Sequence, residues 1–263
     1  MPVFTSLIHH AVSAAESAAE TVTEAVTEAS AETAGAPAAS GIFFTDGGDG
    51  YGVPTKAGYA LIIVIAIAVF LIAWALSSKF TKRKSLSPKQ LAFCAMALAL
   101  AFVTSYVHLF SLPYGGSVTL FSMLFIVLVG YWYGTAVGVM VGLVYGILQF
   151  LQEPYFLSFF QVFFDYLLAF ALLGVSGVFR NAKHGLVKGY IAGALLRGVS
   201  HTIGGYLFWM EYMPDNFPKS LTAIYPIVYN YSYILAEGVI TVIVLCIPAV
   251  SKAMARVKKM ATE

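Results

Sequence analysis

Five ionisable side chains stand inside stretches otherwise apolar enough to cross a membrane: His108, Asp165, Arg197, His201 and Glu237. A charge in lipid is costly unless it faces protein or a cavity, so each is a candidate site residue by default. Asp165 follows the loop at 152–158 by about two helical turns, and His201 precedes the loop at 211 by about two. The two therefore share a depth, with Arg197 one turn below His201 and Glu237 deeper. A plainer reading pairs Arg197 with Glu237 or Asp165 merely to satisfy buried charge. His108 reads as an interfacial residue.

Tyr114, Tyr155, Tyr166, Trp209, Tyr212, Tyr225 and Tyr229 fall at or near the same ends of these stretches. An aromatic belt at the lipid interface explains any one of them singly. A belt, however, needs no carboxylate and imidazole beside it. Aromatic faces next to a carboxylate suit a flat organic cation, because ring quadrupole and negative charge both favour a desolvated positive ligand. Asn230, between Tyr229 and Tyr231, offers an amide that can donate and accept to fix a polar edge of such a ligand. Gly204 and Gly205 would let a ligand ring approach the backbone between His201 and Trp209.

Other chemistries lack their signatures. The chain has no GxxxxGK[ST] phosphate loop, no HExxH and no nucleophile elbow. His201 and Asp165 alone fall short of the three protein ligands that a zinc site takes. Neither catalysis, a metal, a cofactor nor a nucleic-acid partner is expected. Cys94 and Cys246 lie in apolar runs and read as small buried thiols.

The elements that must hold these residues follow from composition. A chain of 263 residues that is 59% hydrophobic and 11% charged carries more apolar surface than one soluble core can hide, so lipid is its solvent. Residues 1–50 form an acidic Ala/Thr/Glu-rich tail, expected to be solvated and partly disordered, and no secretory signal peptide is evident. A first span is predicted at 57–78, followed by a basic linker at 79–88. Six more spans are predicted at about 89–110, 118–131, 134–151, 159–179, 187–210 and 222–249, with a basic tail at 251–263. Positive loops are retained in the cytoplasm. Alternating through seven spans puts KFTKRK, RNAKH and KAMARVKKM on that side, with the N-terminus and the loops at 111–117, 152–158 and 211–221 outside.

From about 89 to 250, four ordered segments carry a resemblance: LPYGGSVTLFSML, the run from Tyr155 through FFQVFFDYLLAFALLGVSGVF, RGVSHTIGGYLFW, and IYPIVYNYS. Together they resemble the thiamine-specific S components of energy-coupling factor (ECF) transporters. The resemblance implies an all-α integral membrane protein, a six-helix S-component bundle here preceded by one extra N-terminal transmembrane helix. It implies thiamine as ligand, held by Asp165 and Tyr166, by His201 and Trp209, by Tyr155 in a loop, and by Tyr225 with Asn230. Trp209 would stack on a ligand ring. Tyr114 is the nearest counterpart of the family's first-loop Trp, and Asp165 stands where the family has a longer Glu. Ala95 and Ala99 on the first bundle helix match an AxxxA spacing through which such proteins meet a membrane coupling subunit, itself joined to two ATPase subunits; packing within the bundle would use the same spacing.

The expected function is thus a high-affinity thiamine-binding S component in the cell membrane. The alternatives are an S component for another vitamin or a thiamine precursor, a proton-coupled transporter using Asp165, Arg197, His201 and Glu237 as a relay, and a membrane protein with no ligand.

Overall fold

A computed structural model describes residues 41–46, 52–61, 64 and 86–263. The chain divides into two units at Ser85/Leu86. In the first, strands β1 (Phe44–Asp46) and β2 (Gly52–Pro54) pair antiparallel. A helix then starts at Lys56, where Gly58 N–H donates to the Thr55 hydroxyl (3.1 Å). The expected tail and basic linker, and most of the expected span at 57–78, lie outside the described residues.

The second unit is a bundle of six helices with a seventh across one end. Helix α1 (Pro88–Ser105) begins in a capping box: Gln90 N–H donates to Ser87 Oγ (3.2 Å) and Ser87 N–H to Gln90 Oε1 (3.1 Å), with Pro88 in the first turn. The expected span to 110 stops short. After Ser105 the chain extends into β3 (His108–Ser111), which pairs antiparallel with β4 (Ser117–Thr119) around the turn Pro113–Gly115. Pro113 and the positive φ of Gly115 favour that reversal.

Helix α2 (Ser122–Tyr133) is apolar all round and buried on nearly every side, as a central helix must be. Gly134, at φ 96°, turns it into α3 (Thr135–Gln152). Next comes α4 (Phe159–Phe179), whose turns widen to π-type at Phe163–Leu168 and tighten to 3₁₀ at Leu172–Phe179. A Cβ on Gly174 would lie 2.1 Å from Val139 N, so α3 and α4 touch backbone to backbone. Helix α5 (Gly185–Phe208), α6 (Tyr225–Cys246) and the amphipathic α7 (Pro248–Thr262) complete the unit. Pro248 lacks the N–H that would continue α6, so the expected last span ends at Cys246 and the basic tail is helical. Among the described residues, four helices, Pro88–Ser105, Thr135–Gln152, Phe159–Phe179 and Lys219–Cys246, are long and apolar enough to cross a membrane by length and composition. The chain is a multi-pass helical membrane protein.

Candidate functional site

The widened turn of α4 carries Asp165 and Tyr166. π-type turns recur at functional sites because they leave the regular ladder and re-aim side chains. Here the Phe164 carbonyl is met by the Ser200 hydroxyl of α5 (2.7 Å), which anchors the irregular turn to its neighbour. Asp165 is then held from two helices. Its Oδ2 accepts from Trp209 Nε1 (2.7 Å) and Gln161 Nε2 (3.0 Å), while Oδ1 lies 3.4 Å from His201 Nδ1. The approach depends on Gly204, where a Cβ would fall 2.5 Å from Asp165 Oδ1.

His201 is fixed from the other side. Arg197 Nε donates to His201 Nε2 (3.2 Å), and the guanidinium carbon sits 4.5 Å from the centroid of the Phe170 ring. A guanidinium keeps its protons, so Nε2 must present a lone pair and Nδ1 carries the proton toward Asp165. The imidazole is thus a neutral donor of fixed tautomer. The side chains of His201 and Asp165 are only 11% and 12% exposed.

Aromatic side chains wall the space above them. Tyr155 meets Trp209 edge-on at 6.1 Å, Trp209 meets Tyr212 at 5.2 Å, and Tyr225, Tyr229 and Tyr233 follow one another at 5.8 and 6.0 Å along α6. The β3–β4 turn closes over this wall. Tyr229 Oη donates to the Pro113 carbonyl and accepts from Gly116 N–H (3.2 Å). Between wall and turn lies one cavity of about 1060 Å³, its open mouth included.

Seven of the eight residues proposed from sequence as ligand contacts line that cavity: Tyr155, Asp165, Tyr166, His201, Trp209, Tyr225 and Asn230. Tyr114 lies in the turn Pro113–Gly115, and its side chain is outside the described part of the structure. Two of the seven are bonded differently from expectation. Asn230 directs its amide donor to the carbonyls of His201 (3.2 Å) and Pro226 (2.8 Å), and its oxygen accepts from Tyr233 Oη (2.9 Å), so it braces α5 against α6. Tyr166 Oη donates to the Glu153 carbonyl (2.7 Å) and accepts from Tyr155 N–H (3.2 Å), which pins the α3–α4 loop. The space expected beside Gly204 and Gly205 is also taken: Asp165 fills the first, Pro226 and Asn230 the second.

Neither Asp165 nor Glu237 forms an ion pair with Arg197 among the described residues. Glu237, 2% exposed, instead accepts from Thr119 N–H (3.0 Å), Thr119 Oγ1 (2.7 Å) and Met123 N–H (3.2 Å). It caps the start of α2, where Phe121 supplies no capping side chain. His108, read as interfacial, lines the cavity 3.7 Å from Glu153. Sequence reasoning missed Gln161 and the cluster Ser105, Gln149 and Gln152, in which Gln149 Nε2 donates to Ser105 Oγ (2.9 Å). Uncharged amides inside spans were the signal that could have found them. On α1, Ala95 and Ala99 face outward, whereas Ala97 and Ala101 are buried in the bundle.

Residues 91–257 match the family model described as thiamine transporter protein (Thia_YuaJ). The thiamine transporter ThiT of Bacillus subtilis (strain 168) is 32% identical over 177 residues, spanning 60% of this chain and 87% of that protein. Among solved structures, ThiT from Listeria monocytogenes shares the fold with a TM-score of 0.54 at 24% identity, over 65% of this chain and 96% of that one. With most of its helical bundle inside the matched range, the chain belongs to the thiamine transporter protein (Thia_YuaJ) family.

Proposed function

We propose that the chain binds thiamine in this cavity and serves as the S component of an ECF-type uptake transporter, without chemistry of its own. The observation that carries the reading is Asp165, a carboxylate screened from water and walled by Trp209, Tyr155 and the α6 tyrosines. Thiamine is flat and carries a permanent positive charge on its thiazolium ring, the ligand that such a wall and countercharge favour. Asp165 Oδ1 keeps acceptor capacity for a ligand N–H, since its one contact, His201, is long. Tyr155, Tyr166, Trp209, Tyr225 and Asn230 shape the cavity, and Tyr114 contributes from the turn.

Two further features support the uptake role. The basic segments around Arg180–Lys183 and 252–259 lie at the helix ends away from the cavity, which supports a cavity facing outward and a C-terminus toward the cytoplasm. Ala95 and Ala99 offer an outward small-residue strip to a coupling subunit that two ATPase subunits would drive. A proton relay is disfavoured, because the Arg197 N–H occupies the ring nitrogen through which His201 would pass a proton inward.

The test is a thiamine titration of the purified chain followed by Trp fluorescence. Saturable quenching is expected, and Asp165→Ala should weaken binding at least about tenfold, or 1.4 kcal/mol. Unaltered affinity in that variant would overturn the charge assignment. Uptake into proteoliposomes should require the coupling and ATPase subunits; accumulation by the chain alone under a proton gradient would instead support a secondary transporter.

A further inference from the structure

The C-terminal helix has a composition unlike the rest of the bundle. Pro248 ends α6 and starts α7, which carries Lys252, Arg256, Lys258 and Lys259 within 15 residues. Val250, Met254 and Val257 pack against the core, and Ala261 is buried. The Ala261 carbonyl accepts from Tyr133 Oη (3.0 Å), at the last residue of α2. Lys258 Nζ donates to the Arg180 carbonyl (2.8 Å) just past α4, and lies 3.9 Å from the centre of the Tyr131 ring. A helix of 15 residues spans roughly 22 Å. Having left α6, it therefore runs across the ends of α2 and α4 and does not continue into solvent.

Val250, Met254, Val257 and Ala261 turn most of its apolar face to the bundle, which leaves Met260 as the exposed large apolar side chain of the helix and little surface for insertion into lipid. What predominates outward is charge. Lys252, Arg256 and Lys259 are exposed, and so are Arg180, Lys183 and Lys188 at the neighbouring α4–α5 corner, and Lys89 at the start of α1, which packs against α7. Among the described residues, the acid at this end is Glu263, 3.8 Å from Lys259 in a largely exposed pair that offsets little. Glu153, Glu211 and Asp215 lie toward the cavity end. Of the helices beneath, α4 is long and apolar enough to cross a membrane, which brings this cationic rim to the level of the lipid headgroups.

We propose that α7 is a lipid-binding helix whose outward cations, with Lys183 and Lys188 beside them, gather anionic phospholipid headgroups around the end of the bundle away from the cavity. Neutralising phosphates is the interaction that cations at a membrane surface favour, and it falls with ionic strength. The contact would hold α7 across the ends of α2 and α4. It is independent of which ligand the cavity takes.

Native mass spectrometry of the full chain, released from micelles holding equal phosphatidylglycerol and phosphatidylcholine, reads the preference directly. Phosphatidylglycerol adducts should exceed phosphatidylcholine adducts by at least about fivefold, the ratio that one surface cation supplies. The triple variant K252Q/R256Q/K259Q should bring the ratio close to one, and raised salt should do the same for the unaltered chain. Equal adducts in the unaltered chain, or an excess that survives both the variant and salt, would overturn the proposal. So would a variant that keeps its lipid preference but loses association with an acidic protein partner. Should the variant fail to fold, the salt series on the unaltered chain decides alone.

Discussion

Replacing Gly204 with alanine separates the binding chemistry from the fold. The added methyl would lie 2.5 Å from Asp165 Oδ1, with Asp165 Cγ at 3.3 Å and Phe164 Cβ at 3.5 Å as its next neighbours. A carbon and an oxygen in contact sit about 3.3 Å apart, so the carboxylate must retreat by roughly 0.8 Å. The atom that moves is the tip of a side chain, so the backbone can stay in place. Alanine also favours a helix interior over glycine by about 1 kcal/mol, which offsets residual strain in α5. The carboxylate has no such compensation. Moved this far, its Oδ1 leaves the position that faces the cavity, while Oδ2 can pivot to keep Trp209 Nε1 and Gln161 Nε2. A carboxylate so displaced also forfeits one charge-assisted hydrogen bond to the ligand, worth about 2 kcal/mol, so thiamine Kd should rise roughly thirtyfold. Trp fluorescence titration gives the affinity, and a thermal melt of the same sample should move by no more than a few degrees. A variant that binds as tightly as the parent would refute the placement of Asp165 at the centre of the site. A variant that does not fold would refute the side-chain-only displacement.

Three other substitutions test separate parts of the scaffold. Glu237→Ala removes the acceptor for Thr119 N–H and Met123 N–H, and each orphaned buried group costs about 1–3 kcal/mol, so the melting temperature should fall sharply. Glu237→Gln keeps an acceptor oxygen and should fall less; equal melts for the two would show that capping α2 is unimportant. Tyr229→Phe deletes the hydroxyl that ties α6 to Pro113 and Gly116. Loss of about 1 kcal/mol there should speed thiamine release roughly fivefold in a stopped-flow chase, with little change in melting temperature. Ala99→Leu on the outward face of α1 should leave thiamine affinity intact while abolishing uptake in the reconstituted complex, and unimpaired uptake would remove α1 from the coupling surface.

How far the site could be read from sequence depended on the cost of charge in lipid. Asp165 and His201 stand out in the sequence because an ionisable group in an apolar span has few innocent explanations, and both line the cavity. Trp209 and Tyr155 followed from their company. Asn230 and Tyr166 also line the cavity, yet their hydrogen bonds to protein groups are not legible in sequence, because spacing along a helix says which side chains share a face and not which carbonyl lies opposite. The widening at Phe163–Leu168 left no trace in the apolar pattern, since a change in turn size leaves composition untouched. The β3–β4 hairpin was hidden for a related reason: VHLFSL is apolar enough to read as the end of a span, and only pairing with Ser117–Thr119 draws it out. Gly204 and Gly205 were noticed and given the wrong occupant. A glycine announces close approach but not by what.

The order of the polar chain through the site has a consequence for what it can hold. Arg197 donates to His201 and His201 faces Asp165, so hydrogen-bond polarity runs toward the carboxylate. Had His201 stood alone beside Asp165, a protonated imidazole would have neutralised the carboxylate and cancelled its attraction for a cation. Arg197 prevents this at a distance, because its N–H leaves no room for a second proton on Nε2. Its own charge is turned toward the Phe170 ring, 4.5 Å away, instead of into the carboxylate. Asp165 therefore keeps the negative charge that the surrounding aromatic wall would otherwise have no reason to enclose.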